Sequence, residues 1–253
     1  MTRAIILCTA FSLLLSAGWG QLVASRDITS GWSVPPEHVP GPPSDTCPKV
    51  NYSVSPADET KKVSPPEGER VELKIVQIAP SQLTIGEEFT AIVEFKNAGT
   101  STVLVPSTAD GAQLTGDAGA GGDERTEEKY EVADVSFRLV TGKVHRTPIF
   151  LNSAGALFAD PNNKRTYVTL APGNWLEIKL KGVVECGAAK CLGTLEADSD
   201  GVLTAWWYQR VLTHKVSGCE ENHGSIDVRE VYSAPFRVVV HNSVKKAESS
   251  PRI

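Results

Sequence analysis

The chain has 253 residues, of which 41% are hydrophobic and 22% charged, with a formal net charge of −5 at pH 7. Lysine and arginine form no stripe or run, which excludes the electrostatic footprint of a nucleic-acid-binding protein. The composition suits a folded protein with a sizeable core, and the modest negative charge decides little beyond solubility.

At the N-terminus, Arg3 precedes "AIILCTAFSLLLSAGWG", an apolar run that gives way to small residues from Ser16 to Gly20. This is the layout of a secretory signal peptide, expected over residues 1–24, with cleavage after Gly20 or Ala24. The run is too short for a good membrane span, and no second one follows. Cys8 lies inside the run and no cysteine follows "LLLSAG", so a lipid anchor is not expected. The mature product is expected to be exported, periplasmic or extracellular, without an integral membrane segment.

Residues 25–70 contain "VPPEHVPGPPSD" and "KKVSPPEGE" and read as a Pro-rich, largely extended arm. Within it, "NYS" at Asn51 is a glycosylation acceptor in a cell that glycosylates. The globular part is expected over 71–241, followed by a flexible tail at 242–253.

Period-two patterns dominate that globular part, and no segment holds a helical period. "VELKIVQI" (71–78) places Leu73, Ile75 and Gln77 on one face. "EFTAIVEFKN" places Phe89, Ala91, Val93 and Phe95 together, then turns at "NAGT", where Gly99 is expected to take a positive φ. Further strands are expected at 102–106, 133–140, 146–151, 166–170, 175–182, 201–212, 226–232 and 235–241. Short strands separated by Gly, Pro and Asn turns predict an all-β fold, an antiparallel sandwich. The segment 107–131, rich in Gly, Asp and Glu, is expected to be a mobile insertion.

The motif order "LTIGEEFTAIVEFKNAGT", "LAPGNWLEIKL", "DGVLTAWWYQ" and "VYSAPFRVVV" resembles bacterial exported immunoglobulin-like and fibronectin-III-like β-sandwiches of the cell-adhesion-related type. The resemblance covers about residues 71–241 and rests on turn chemistry. It implies an immunoglobulin-like fold and a binding or spacer role, and it carries over no catalytic residue.

Four cysteines remain beyond the leader: Cys47, Cys186, Cys191 and Cys219. An even count in an exported protein favours two disulfides, with three pairings open. In a sandwich layout, Cys186 and Cys191 precede the "GVLTAWWYQRVL" strand and Cys219 follows it. Ten or so extended residues separate the two connections by roughly 30 Å, whereas a disulfide needs Cα atoms within about 7 Å. Cys186 is therefore expected to pair with Cys191. Cys47 then pairs with Cys219, because in an immunoglobulin-like layout the start of the first strand lies beside the last hairpin.

The alternative for "HKVSGCEENHG" is a zinc or copper site from His214, Cys219 and His223. Its spacings do not match the short cysteine knuckles of structural zinc, and an oxidising compartment consumes thiols. "EADSDG" (196–201) resembles the start of a calcium loop, but position twelve is Trp207 rather than glutamate. No G-x-S-x-G, H-E-x-x-H or phosphate loop is present, so neither an enzyme nor a bound cofactor is expected.

"TAWWYQR" is the most aromatic stretch. On a strand, Leu203, Ala205, Trp207 and Val211 share the core face, while Thr204, Trp206, Tyr208 and Arg210 share the other. If that second face is open, Trp206, Tyr208 and Arg210 form a platform for a saccharide or a protein partner. If it is closed, the 107–131 insertion or an adjoining strand covers it. The function expected is that of an exported binding module or envelope accessory; a secreted metal-binding or inhibitor protein using the 214–223 loop is the alternative.

Overall fold

The computed structural model describes residues 20–30, 51–54, 65–109, 111, 114, 127–141, 149–151, 155–184, 198–217 and 220–241; at 51–54, 127–128, 149–150, 198, 214–217 and 220–223 it describes the backbone alone. The fold is all-β. Among the described residues no helix is long and apolar enough to cross a membrane.

One sheet has four strands: β1 (Leu22–Asp27), β11 (Trp175–Val183), β5 (Glu88–Asn97) and β3 (Val71–Ala79), in that spatial order. β5 shows why such segments become strands. Its alternate residues Phe89, Ala91, Val93 and Phe95 are each at most 2% exposed, while its polar residues face away. β3 departs from simple alternation after Ile75, where the ladder to β5 skips Val76. The skipped residue reverses the pleat, so Ile78 is buried and Gln77 is exposed, contrary to the expected placement of Gln77 beside Leu73.

The second sheet is built around β12 (Asp198–Ser217). β7 (Glu127–Thr141) runs antiparallel along one side of it. Along the other side, β13 (Glu220–Tyr232) pairs with the C-terminal half of β12 and β14 (Phe236–His241) with the N-terminal half. The change of partner falls at Ser233, whose N–H donates to the Ala205 carbonyl at 2.8 Å and whose hydroxyl accepts from the Ala205 N–H at 2.9 Å. Pro235, two residues on, lies just outside β14 rather than at its expected first position, and its missing N–H leaves the ladder intact. β8 (Ile149–Leu151) and β9 (Ala156–Ala159) line the far side of β7. A two-stranded ladder of β6 (Val103–Pro106) and β10 (Tyr167–Leu170) completes the described structure.

The sheets are mixed rather than wholly antiparallel. β1 lies parallel to β11, β2 (Asn51–Val54) parallel to β13, and β4 (Gln82–Thr84) parallel to β14. Each is a short segment far in sequence from its ladder partner, so no hairpin obliges the pair to run antiparallel. Two of them come from regions expected to lie outside the sandwich: β1 crosses the expected boundary at residue 24, and β2 belongs to the Pro-rich arm. The expected insertion likewise ends early, because β7 already starts at Glu127.

A single large apolar cluster joins the inner faces of these sheets, with Trp207 packed on Phe95 at 4.5 Å between ring centroids. Gly99 serves this packing differently from expectation. Positive φ belongs to Gly68, Gly86 and Gly173 instead, whereas a Cβ on Gly99 would lie 2.2 Å from the Gly68 carbonyl oxygen.

Candidate functional site

β12 presents two chemically distinct faces. Leu203, Ala205 and Trp207 are fully buried on the core face together with Gln209, and Thr204, Trp206, Tyr208 and Arg210 are half-buried on the other. Ladder register then assembles the outer face row by row. Trp206 is opposite Tyr232 on β13 and Ser136 on β7; Tyr208 is opposite Glu230 and Asp134; Arg210 is opposite Asp227 and Val132.

The rings form a continuous cluster. Trp206 and Tyr232 stack with planes 6° apart and centroids 5.8 Å apart, and Tyr208 leans on Trp206 at 5.7 Å and 45°. The Arg210 guanidinium lies 5.3 Å from the Tyr208 ring centroid and 3.8 Å from the Asp134 carboxylate. Tyr232 is 53% exposed, which leaves the cluster open at that side.

The polar tips are held by carboxylates. The Tyr208 hydroxyl donates to Asp227, and the Tyr232 hydroxyl donates to Glu230 at 2.8 Å. Burial, then the bond to Asp227, pushes the Tyr208 hydroxyl up to about 12, and burial with Glu230 raises Tyr232. Both phenols are therefore neutral near pH 7 and act as hydrogen-bonding groups. Burial also raises the Asp134 carboxyl, against the pull of Arg210. The Trp206 indole N–H and the Arg210 Nε are shielded and have no hydrogen-bond partner among the described residues.

A bulge sets this arrangement. Between Gln209 and Arg210 the ladder passes from Arg229 to Asp227, leaving Val228 as the extra residue. In a regular strand Arg229 and Asp227 share a face; the bulge separates them. Arg229 thus joins Gln209 on the core face, while Asp227 joins Tyr208 and Arg210 outside.

Beneath the aromatic face runs a buried polar chain. Glu131 on β7 accepts hydrogen bonds from the Tyr167 hydroxyl at 2.6 Å and from the Gln209 amide. The Gln209 oxygen accepts from the Trp207 indole at 3.2 Å and from Arg229 at 2.8 Å. Arg229 in turn pairs with Glu69 at 2.6 Å. Tyr167 is raised well above the usual phenol range by burial and by Glu131, so it stays a donor. Every polar group in this chain is satisfied by another, which fixes β12 relative to β7, β10, β13 and the segment leading into β3.

The outer face is covered at one end. Beyond Arg210, Val132, Ala156 and Phe158 are buried, with Leu114, Tyr130 and Leu212 packed against them. Leu114, from the expected 107–131 insertion, thus packs against the Val132, Ala156 and Phe158 cluster.

Of the residues singled out from sequence, Trp206, Tyr208 and Arg210 come together with Tyr232, Asp134, Asp227 and Glu230. These last four were missed, because the pattern of one strand says nothing about its register on the next. Their signal is limited to alternation in "IDVREVY" and "ADVSFRLV". His214 and His223 are not loop residues: β12 and β13 continue through them, and the two are ladder partners. Cys47, Cys186, Cys191 and Cys219 lie outside the described residues, as does Glu196. Among residues described with their side chains, no three His, Cys, Asp or Glu groups converge as a metal site.

No family model and no curated protein matches the chain. Solved structures resemble it weakly. A Pseudomonas fluorescens alkylpurine DNA glycosylase, AlkC, bound to DNA containing an abasic site analogue, is 12% identical with a TM-score of 0.25, over 63% of this chain and 31% of that one. A β-glucosidase from Listeria innocua in complex with gluconolactone is 16% identical with a TM-score of 0.24, over 63% of this chain and 16% of that one. Spo0M, a sporulation control protein from Bacillus subtilis, is 10% identical with a TM-score of 0.22, over 64% of this chain and 48% of that one. The chain spans less than a third of the first two, and likeness at this level carries no functional argument.

Proposed function

We propose that the chain is an exported, non-enzymatic immunoglobulin-like module that binds a saccharide on the outer face of its larger sheet. The observation that carries this reading is the half-exposed cluster of Trp206, Tyr208 and Tyr232 ringed by Arg210, Asp134, Asp227 and Glu230. A pyranose ring needs two things from a protein: an aromatic surface for its C–H face, and charged or amide groups around that surface for its hydroxyls. This cluster supplies both within three strands. The rings are braced by one another and by carboxylates, so little side-chain entropy is lost on binding.

Export and the immunoglobulin-like type belong to the same reading, supported by the leader pattern before Gly20 and the turn motifs of residues 71–241. A glycan-array screen of the purified chain tests it. Specific glycans are expected to bind, and Trp206→Ala and Tyr232→Ala are expected to weaken binding at least about tenfold, equivalent to about 1.4 kcal/mol. Binding of no glycan, together with capture of a protein partner that the same two substitutions abolish, would replace the saccharide by a protein ligand.

A further inference from the structure

β1 begins just beyond Gly20, where the apolar N-terminal run has ended. The sequence allows cleavage there after Gly20 or after Ala24, and the two products differ by Gln21, Leu22, Val23 and Ala24. The fold distinguishes them. The Gln21 N–H donates to the Asn174 side-chain oxygen at 3.1 Å, and the Gln21 carbonyl accepts from the Trp175 N–H at 3.2 Å. β1 then runs parallel to β11, from Leu22 opposite Trp175 to Asp27 opposite Lys179. The Arg26 guanidinium donates to the Ser107 carbonyl at 2.7 Å, and Lys179 pairs with Asp27 at 3.1 Å. Ile28 is 1% exposed in the main core, and its N–H donates to the Lys179 carbonyl at 2.9 Å. This edge segment is therefore docked from Gln21 onward.

Cleavage after Ala24 would divide the strand. It would remove both hydrogen bonds of Gln21, the pairing of Leu22, and Ala24, which packs against the core. It would also put Leu22 at the third position before the bond, where leader peptidases require a small side chain. Cleavage after Gly20 leaves β1 whole and puts Gly18 and Gly20 at the third and first positions before the bond. Gly20 itself abuts the turn into β11, with no room for a side chain. A Cβ there would lie 1.8 Å from the Gly173 carbonyl oxygen.

We propose that the Gly20–Gln21 bond is the leader's cleavage site, so that Gln21 is the first residue of the mature protein and β1 its first strand. This rests on the export reading and sharpens it, moving the end of the leader from residue 24 to residue 20. The reaction is hydrolysis by the leader peptidase of the exporting cell. Water adds to the Gly20 carbonyl carbon, the C–N bond breaks, and the nitrogen leaves as the Gln21 α-amine. That amine still carries protons to donate to Asn174, so the first contact of the docked strand survives the cut. The inference is independent of the saccharide reading, since β1 belongs to the other sheet.

Expression of the full chain in a bacterium, with intact-mass measurement and tandem mass spectrometry of its N-terminal peptide, tests this. A single exported species beginning at Gln21 is expected. An exported species with any other first residue, Ser25 included, overturns the proposal and leaves export standing. A chain found only inside the cell with residues 1–20 attached overturns both. Gly20→Ala gives a second arm. Its product is expected to match the unmodified one in mass and melting temperature, because residue 20 is absent from both. A product heavier by one methylene, melting lower through the clash at Gly173, would show that residue 20 is retained and overturn the proposal. Deletion of residues 21–24 behind the same leader is expected to lower the melting temperature by several degrees. An unchanged melting temperature removes the structural ground for choosing Gly20 and overturns it too.

Discussion

Gln209 is 1% exposed on the core face of β12, between an apolar tryptophan and a buried carboxylate. Its amide links Glu131, itself 8% exposed, to Arg229, and Arg229 links onward to Glu69. Removing that bridge leaves a buried carboxylate short of a donor and an indole and a guanidinium short of an acceptor. Each orphaned group costs about 1–3 kcal/mol, more when charged. Gln209→Leu is therefore expected to lower the unfolding free energy by about 3 kcal/mol in urea denaturation, and adding Glu131→Leu is expected to return part of that loss. A loss below about 1 kcal/mol for the single variant would mean that solvent or another group takes over the amide's role. Gln209 was legible in principle, because it shares its parity with Leu203, Ala205 and Trp207. A polar residue on an apolar face announces a partner without saying which one.

At the scale of elements, the parallel pairing of β2 with β13 bears on the cysteines. Asn51 is opposite Glu220, so the chain enters both strands from the same end. Cys47 precedes the first of these residues by four positions and Cys219 precedes the second by one. The three intervening residues span at most about 13 Å when extended and have slack to bring two Cα atoms within about 7 Å. By contrast, β12 has 20 residues. At ~3.3 Å per residue this holds its two flanking connections roughly 60 Å apart along the strand, about twice the separation expected from sequence. Peptide mapping without reduction is expected to yield Cys47–Cys219 and Cys186–Cys191 and no free thiol. A peptide joining Cys219 to Cys186 or Cys191 would contradict this.

The same elements show what a single sequence conveys. β5, β11 and the middle of β12 were readable because each buries one face and wets the other. β1, β2 and β4 were not, being three to six residues long and paired at sheet edges. The hairpin through "HKVS" and "EENHG" reads as a connection in sequence because neither face carries the apolar alternation that marks a strand. Its order comes from pairing with β7 and β2, which local pattern does not record. The bulges at Val76 and Val228 were equally silent, and the second decides which of Asp227 and Arg229 reaches the aromatic face.

Across the whole molecule, one core joins the inner faces of the sheets, and the outer face of the larger sheet is left partly open. Val202 at 38%, Val239 at 42% and Tyr232 at 53% exposure are carried there by β12, β14 and β13. The face is apolar along its middle, charged around the rings and, among the described residues, covered at the Val132–Phe158 end. The proposed saccharide site rests on this aromatic, partly open sheet face being the binding surface. The most direct test is to follow backbone amide NMR signals while titrating a glycan that the array identifies. Shifts are expected to concentrate at residues 134–138, 204–210 and 227–232, with the smaller sheet unaffected. Saturable shifts confined to the β1, β3, β5 and β11 sheet, with the signals around Trp206 unmoved, would contradict it.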